Sequence, residues 1–175
     1  MHFRPTALDG PMLIEPERHA DDRGWFARTF CAEEFARAGL PACFVQCSTS
    51  FNQRRFTLRG LHYQDAPYAD GKLVRCTRGA VFDVAVDLRP GATQWRWIAH
   101  ELSADSGRAL WIPPGFAHGF VTLCDATEIF YQMTEPFRPE TARGLRWNDP
   151  TLAIPWPVAE PILSPRDAAL PFVSS

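Results

Sequence analysis

Short apolar segments with a two-residue period recur along the chain. In Ala80–Leu88 the large apolar side chains occupy every second position, so they share one face of an extended segment while Asp83 and Asp87 lie on the other. Residues 116–122 and 129–133 repeat this period. Because successive side chains point to opposite faces of a strand, the pattern predicts strands of an antiparallel sheet.

Further strands are predicted where aromatic and β-branched residues cluster between turn residues. They cover Met12–Glu15, Trp25–Phe30, Trp95–Leu102 and Ala109–Ile112. Two extended segments within residues 44–64 flank the polar turn Asn52–Arg55, and another pair flanks Arg78-Gly79. Both pairs have the pattern of β-hairpins.

One short helix is predicted, over Ala32–Ala38. Its charged residues form a polar surface while Phe35 points inward, and Gly39 and Pro41 end it. The 16 prolines and 11 glycines are spread through the sequence and divide the rest into short pieces. Long helices are therefore not expected.

Regularly spaced short strands with Gly and Pro turns predict an all-β fold: an antiparallel sandwich, a jelly roll or a small barrel, with a few short helices. The 175 residues, 46% of them hydrophobic, are enough to bury a sizeable core and predict a single domain over residues 1–175. From about residue 150 the chain is rich in proline and predicts an irregular tail that packs across this domain.

The charge balance argues against two classes of partner. With a formal net charge of -2 and a pI near 6.2, the chain has no basic surface for nucleic acid or an anionic membrane. No run of about 18 apolar residues occurs, and the N-terminus leads into no signal sequence. Five cysteines without a CxxC pair favour reduced thiols. We therefore expect a cytoplasmic protein.

The segment Arg59–Gln64 (RGLHYQ) gathers a guanidinium, an imidazole and an amide among strand-like residues. An imidazole titrates near neutral pH, so His62 is the first candidate for a catalytic base. Lys72, His118 and Tyr131 occur in other strand-like segments and could join it. Taken singly, these three also fit an ordinary surface lysine, a core histidine and a packed tyrosine.

Other chemistries lack support. Pro113–His118 resembles the second half of a cupin metal motif, but Gln64 stands where the first half needs a second histidine. Two separated histidines are too few for a catalytic metal site, so no metal is predicted. The chain has no GxSxG nucleophile elbow and no glycine-rich phosphate loop. No cofactor is predicted.

The spacing of Arg59 and His62 creates a geometric conflict. Residues three apart on a regular strand point to opposite faces. A bulge at Gly60, or the end of the strand there, would let both side chains reach one cavity.

Six segments, in order along the chain, resemble the dTDP-4-dehydrorhamnose 3,5-epimerase family, which are cupin-fold enzymes of deoxysugar biosynthesis. The resemblance runs from about residue 22 to residue 167 and rests on Arg59–Gln64, Gly71–Arg75, Val81–Asp87, Leu110–Pro113, Gly115–Phe120 and Arg146–Pro150. It implies a cupin-like antiparallel jelly roll, a homodimer, no metal, and a nucleotide-linked 4-keto-6-deoxyhexose as substrate.

The resemblance also implies roles for four catalytic residues. His62 would be the base, Tyr131 the acid on the other side of the sugar ring, and Asp167 the carboxylate that orients the base. Lys72 would lie near the oxygen of the developing enolate, where fixed positive charge is worth roughly 3 to 4 kcal/mol.

Further positions match the family's substrate-binding wall. Arg23, Arg59 and His118 would contact the sugar nucleotide and its diphosphate, for which arginine is well suited. Phe26 and Phe137 would lie near the nucleotide base, with part of this wall coming from the other subunit.

Three wall positions depart from the family pattern. Ser48, in Gln46–Ser48, replaces a usual asparagine, while Arg28 and Ala142 replace usual glutamates. These changes make the wall more positive and alter its hydrogen-bonding groups. The hypothesis is that proton transfer is retained while the nucleotide or sugar differs. A single-site epimerase, a 3,4-ketoisomerase and a non-catalytic nucleotide-sugar-binding cupin stay open.

Overall fold

The computed structural model describes residues 1–173, which form two stacked antiparallel sheets and a small two-stranded sheet. The strands of this part, in chain order, are β1 (His2–Pro5), β2 (Met12–Glu15), β3 (Arg18–Asp21), β4 (Gly24–Ala27), β5 (Gln46–Asn52), β6 (Leu58–Gln64), β7 (Lys72–Arg78), β8 (Ala80–Asp87), β9 (Trp97–Ser103), β10 (Ala109–Ile112), β11 (Phe116–Thr122), β12 (Thr127–Met133) and β13 (Ala142–Gly144). Its helices are α1 (Ala32–Arg37) and α2 (Pro165–Ala168). The predicted all-β, cupin-like jelly roll with short helices is confirmed.

Strand order explains how the chain closes around a cavity. The larger sheet runs β1-β2-β10-β7-β12-β5, and the second runs β13-β6-β11-β8-β9. Consecutive strands therefore fall in different sheets at several points, as a jelly roll requires.

Both predicted hairpins are wrong for this reason. β5 pairs with β12, whereas β6 pairs with β11 and β13 in the opposite sheet. Likewise β7 belongs to the larger sheet and β8 to the smaller one. The turns reverse the chain as predicted, but they carry it from one sheet to the other, where each strand pairs with a partner distant in sequence.

The hydrophobic core is arranged in three layers. Between the sheets, residues such as Val74, Val81 and Phe120 are almost fully buried. On the outer side of the five-stranded sheet, Val84 and Val86 of β8 pack against Leu152 and other residues of the chain after β13. A third cluster on the outer side of the six-stranded sheet surrounds α1. Both faces of β8 are therefore covered, which also buries its two aspartates.

The segment around α1 differs from its prediction at one end. Phe35 is fully buried, as expected. The strand predicted over Trp25–Phe30 ends early, at Ala27, which pairs with Arg18, the first residue of its partner β3. Phe30 instead packs edge-on against Phe35 at 4.9 Å between ring centroids.

Strands β3 and β4 form an arm that pairs with neither large sheet. All but one of its residues are exposed, including Trp25 (54%) and Phe26 (73%). Neither helix in residues 1–173 has the length and apolar composition needed to cross a membrane.

Candidate active site

A cavity of about 450 Å³ opens between the two sheets, beside β5, β6 and β13. Strands of both sheets supply its walls. Nine of the predicted residues line it: Gln46, Ser48, Arg59, His62, Lys72, His118, Tyr131, Phe137 and Ala142. Pairing between strands that lie far apart in the sequence thus brings the candidate chemistry together.

His62 and Asp167 form a hydrogen-bonded pair at the edge of the cavity. The distance from His62 Nε2 to Asp167 Oδ1 is 2.7 Å. An ionised carboxylate only accepts hydrogen bonds, so Nε2 carries the proton and donates it. Nδ1 makes no hydrogen bond within the described residues and is left with its lone pair. Nδ1 is therefore the nitrogen at which the His62 ring can accept a proton.

Asp167 is held in place by its own surroundings. It is buried in α2, and its backbone N–H donates to the Ser164 hydroxyl at 3.0 Å. Burial raises the pKa of Asp167, but hydrogen bonds from His62, Ser164 and the Gly60 backbone outweigh burial and lower it below its usual value. Asp167 therefore stays ionised and fixes the orientation of His62.

A bulge at Gly60 resolves the spacing of Arg59 and His62. In the pairing of β6 with β11, three steps from Arg59 to His62 match two steps on the partner strand, so both side chains line the cavity. Gly60 has φ +125°, and a Cβ there would lie 2.6 Å from Gly119 Cα. Only glycine fits this close approach of two backbones. Of the two predicted alternatives, a bulge or a strand end at Gly60, the structure has the bulge.

Lys72 places a positive charge beside the histidine. Its Nζ donates to the His62 carbonyl oxygen at 3.3 Å and lies 3.5 Å from Asp70 Oδ2. The side chain is largely buried, and water screens a charge less in such a site. An oxygen that gains negative charge in the cavity would meet this ammonium group.

Tyr131 lies on the larger sheet, in the wall opposite His62. Burial, followed by the nearby Asp83 carboxylate, raises the pKa of its phenol well above the usual value. The hydroxyl therefore keeps its proton at neutral pH and can donate it. Its ring meets the His118 ring edge-on at 6.2 Å between centroids.

Arg59 and Gln46 are held by neighbouring strands and loops. Arg59 Nε donates to Asn52 Oδ1 at 2.7 Å, which leaves the other guanidinium nitrogens for a ligand. Gln46 Oε1 accepts from the Phe137 backbone N–H at 2.9 Å. This bond ties the exposed Phe137 to the rim of the cavity.

Three predicted binding residues lie away from this cavity in the single chain. Arg23 and Phe26 belong to the exposed arm, and Arg23 pairs with Asp21. Arg28 donates to Glu34 at 2.8 Å. Their part in substrate binding stays a prediction.

One buried residue of the site was not predicted. Asp83 lies on β8, fully buried, with Oδ2 2.9 Å from His118 Nε2. The sequence feature that could have identified Asp83 is a carboxylate in a strand whose other residues, apart from Asp87, are apolar. The cavity-lining cations Arg143 and Arg166 also went unpredicted, because they come from loops and edges without a clear pattern.

The side chain of Gln64, which stands where a cupin metal motif has a histidine, forms hydrogen bonds with backbone groups. It donates to the Tyr68 and Pro136 carbonyls and accepts from the Arg138 N–H at 2.6 Å. Within residues 1–173 no three His, Cys, Asp or Glu side chains are grouped so as to hold a metal ion.

Sequence comparison agrees with this geometry. A family model described as dTDP-4-dehydrorhamnose 3,5-epimerase matches residues 5–175. The chain belongs to this family. The family member from Pseudomonas aeruginosa is 48% identical over 164 residues, which cover 92% of this chain and 90% of that protein. A dTDP-4-dehydrorhamnose 3-epimerase from Streptomyces niveus is 40% identical over 169 residues, covering 95% of this chain and 81% of the relative.

Solved structures of the family are similar to this chain over nearly its whole length. The Bacillus anthracis dTDP-4-dehydrorhamnose 3,5-epimerase, with TDP and PPi bound, has a TM-score of 0.96 at 40% identity and covers 98% of this chain and 99% of its own. The Legionella pneumophila dTDP-6-deoxy-D-glucose-3,5-epimerase, in complex with dTDP-4-keto-L-rhamnose, has a TM-score of 0.92 at 40% identity, with coverages of 98% and 92%.

Of the three positions predicted to depart from the family pattern, two face the cavity. Ser48 and Ala142 line it, and Gln46 Nε2 lies 3.5 Å from the Ser48 hydroxyl. Arg28 is engaged with Glu34 outside it. Of these three positions, only Ser48 and Ala142 can contact a ligand in the cavity of the same chain.

Proposed function

We propose that the chain is an isomerase that inverts C3 and C5 of dTDP-4-dehydro-6-deoxyglucose. The observation that carries the proposal is the His62–Asp167 pair, which shares one cavity with Lys72 and Tyr131. Pure binding of a nucleotide sugar would not need an oriented base, a buried cation and a protonated phenol around the same space. Membership of the epimerase family supports the same reaction.

The chemistry follows from the ketone at C4. It acidifies the hydrogens on C3 and C5, so His62 Nδ1 can remove one as a proton while the bonding electrons form an enolate with negative charge on O4. The Lys72 ammonium stabilises that charge. Tyr131 then gives its proton to the same carbon from the opposite face, and the ketone is restored with the centre inverted. Proton exchange with solvent returns both residues to their starting states.

A single-site epimerase is the second candidate. The Streptomyces niveus relative, described as a 3-epimerase, is 40% identical to this chain over 169 residues. The two reactions use the same base and acid and differ in which carbons are presented to them. Their products therefore have to be distinguished at C3 and C5 separately.

Turnover of four nucleotide sugars tests the proposed substrate. We expect kcat/KM for the dTDP-4-keto-6-deoxyhexose to be at least about 10-fold higher than for its GDP, CDP and UDP counterparts. A nucleotide that fits the pocket less well should lose about 1.4 kcal/mol or more of binding free energy, which corresponds to this factor. Each reaction is followed by separation of substrate and product. Faster turnover of another nucleotide would instead support the hypothesis that Ser48 and Ala142 alter specificity, and no turnover of any would reject the epimerase.

We also propose that the enzyme is a homodimer whose β3–β4 arm completes the partner's cavity. Family resemblance assigns Arg23 and Phe26 to the substrate, yet in one chain both lie on an arm away from the cavity. The exposed aromatic rings of Trp25 and Phe26 would be costly to leave in water and are suited to an interface. The free thiols of all five cysteines fit action in the reducing cytoplasm.

Mixed dimers test the shared site. One subunit carries His62→Asn, and the other carries Arg23→Ser with Phe26→Ser on the arm. Each variant alone should be inactive, but a mixed dimer purified through two different tags should regain about half of the wild-type activity, because one of its two sites is intact. A mixed dimer of His62→Asn with Tyr131→Phe is the control: both changes damage the cavity of their own chain, so activity should stay low. Equal activity in the two mixtures would contradict the shared site.

A further inference from the structure

The cavity contains a second histidine–aspartate pair. His118 on β11 lies directly across from His62 on β6 in the strand pairing, so both rings face the space between the sheets. Behind His118, Asp83 of β8 places Oδ2 at 2.9 Å from Nε2. The His62 ring is held by a carboxylate at the same nitrogen, at 2.7 Å.

The carboxylate determines which nitrogen of His118 carries the proton. A carboxylate only accepts hydrogen bonds, so a carboxylate at Asp83 requires Nε2 of His118 to be the donor. Nδ1 makes no hydrogen bond within the described residues, and His118 lines the cavity. In the neutral ring this nitrogen is an acceptor, suited to a hydroxyl group of a bound sugar.

We propose that Asp83 is a positioning residue of the epimerase site, which fixes the His118 ring so that Nδ1 accepts a hydrogen bond from a substrate hydroxyl. The inference rests on the proposed function, because it takes a sugar nucleotide as the ligand. Asp83 itself does not touch the substrate. It acts through His118, much as an acidic partner sets the tautomer of histidine in other dyads.

The surroundings of Asp83 argue against a purely structural role. Its Oδ1 is buried and has no hydrogen-bond partner among the described residues. A buried acceptor without a partner is unfavourable for folding, so a carboxylate here is a poor choice for stability alone. Such unsatisfied groups in a native protein need an explanation, and the orientation of His118 provides one.

Asp87 shows what a structural aspartate looks like on the same strand. It lies four residues further along the same face of β8 and is also fully buried. Both of its oxygens are used: Oδ1 accepts from the Arg89 backbone and side chain, and Oδ2 accepts from Arg89 and from the Thr93 hydroxyl at 2.8 Å. Asp87 does not line the cavity. It is therefore a matched control for Asp83.

Asp83 also affects the acid on the facing wall. After burial, its negative charge is the next cause that raises the pKa of Tyr131. One carboxylate thus orients a binding histidine and helps the neighbouring phenol to keep its proton. Both effects place Asp83 in the working part of the site.

The first test is the tautomer of His118, read from ¹⁵N NMR of histidine-labelled protein with the resonance assigned through His118→Gln. The wild-type ring should show a protonated Nε2 and an unprotonated Nδ1. In Asp83→Asn the amide can donate to Nε2, so the proton should move to Nδ1. A wild-type ring protonated at Nδ1 alone, or a tautomer unchanged by Asp83→Asn, would overturn the proposal.

The second test compares Asp83→Asn with Asp87→Asn. For Asp83→Asn, KM should rise roughly 5- to 100-fold with kcat within about 3-fold, because a substrate hydroxyl meets an N–H instead of an acceptor. Its Tm should change by less than about 2 °C or increase. Asp87→Asn should lower Tm by roughly 5 to 10 °C and leave KM unchanged.

A loss of stability in Asp83→Asn without a rise in KM would contradict the proposal. If Asp83→Asn does not fold, or loses Tm while KM stays at the wild-type value, Asp83 is structural. If the wild-type protein turns over none of the sugar nucleotides, the proposed function fails, but the tautomer measurement still decides whether Asp83 orients His118.

Discussion

Replacing His62 with asparagine is expected to abolish proton exchange at both C3 and C5. Nδ1 of His62 is the proposed base, and a general base contributes about 10²- to 10⁴-fold to the rate. Because exchange begins with abstraction, both carbons should stay unlabelled when the variant is incubated with substrate in D₂O. ¹H NMR of the recovered sugar nucleotide measures this loss.

The same variant should remain folded. His62 is 40% exposed, so little packing is lost, and we expect the free energy of unfolding to fall by about 1 to 2 kcal/mol from the hydrogen bond to Asp167. The matched control is His100→Asn, which removes a half-buried histidine of β9 outside the cavity and should keep full exchange. Labelling by folded His62→Asn at the wild-type rate would rule out His62 as the base.

Loss of this hydrogen bond should also change stability in acid. The folded pKa of Asp167 lies below its unfolded value, so its contribution to stability is present above the unfolded pKa of about 3.9 and is lost as pH falls through the folded pKa. Without the His62 donor the folded pKa rises toward the unfolded one. As the pH falls into the acid range, the free energy of unfolding should therefore decrease less steeply for His62→Asn than for the wild type.

Replacing Tyr131 with phenylalanine is expected to separate exchange from inversion. His62 can still remove and return a proton on its own face, so deuterium should enter the substrate. Without the phenol, delivery from the opposite face should slow by about 10²- to 10⁴-fold, and little inverted product should form. Deuterium in recovered substrate and the yield of inverted product are both read by NMR.

Packing should survive this change. The aromatic ring is kept, with its edge contact to His118. Tyr68→Phe is the control, because that ring lies under the Arg138 guanidinium at 4.0 Å and outside the cavity. Since the pKa of Tyr131 is raised, wild-type inversion should persist at pH values above the usual tyrosine pKa of about 10. Equal loss of exchange and inversion in Tyr131→Phe would contradict its role as the acid.

Local patterns predicted individual strands well. The alternation in Ala80–Leu88 identified β8, and the spacing of Arg59 and His62 indicated either a bulge or a strand end at Gly60, of which the bulge is present. These features depend on backbone geometry within a few residues, which a sequence displays directly. The pairing of β5 with β12 depends instead on contacts between segments about 80 residues apart, so turn residues alone misled the hairpin prediction.

In the candidate site, too, contacts between residues distant in sequence were not predictable from local patterns. No local pattern links His62 with Asp167, which are 105 residues apart, and their pairing could be predicted only through the family resemblance. Asp83 was overlooked because alternation placed it opposite the apolar face of β8. That reasoning treats one face as solvated, whereas β8 is covered on both sides and Asp83 faces the interior of the barrel.

In the proposed reaction, one base and one acid invert two centres of a nucleotide 4-keto sugar. Incubation of the wild-type protein with dTDP-4-dehydro-6-deoxyglucose in D₂O, followed by ¹H and ²H NMR of the product, tests it most directly. We predict deuterium at both C3 and C5, with both centres inverted. Deuterium at C3 alone would identify a single-site epimerase, and a sugar recovered without deuterium at either carbon would contradict the proposed reaction.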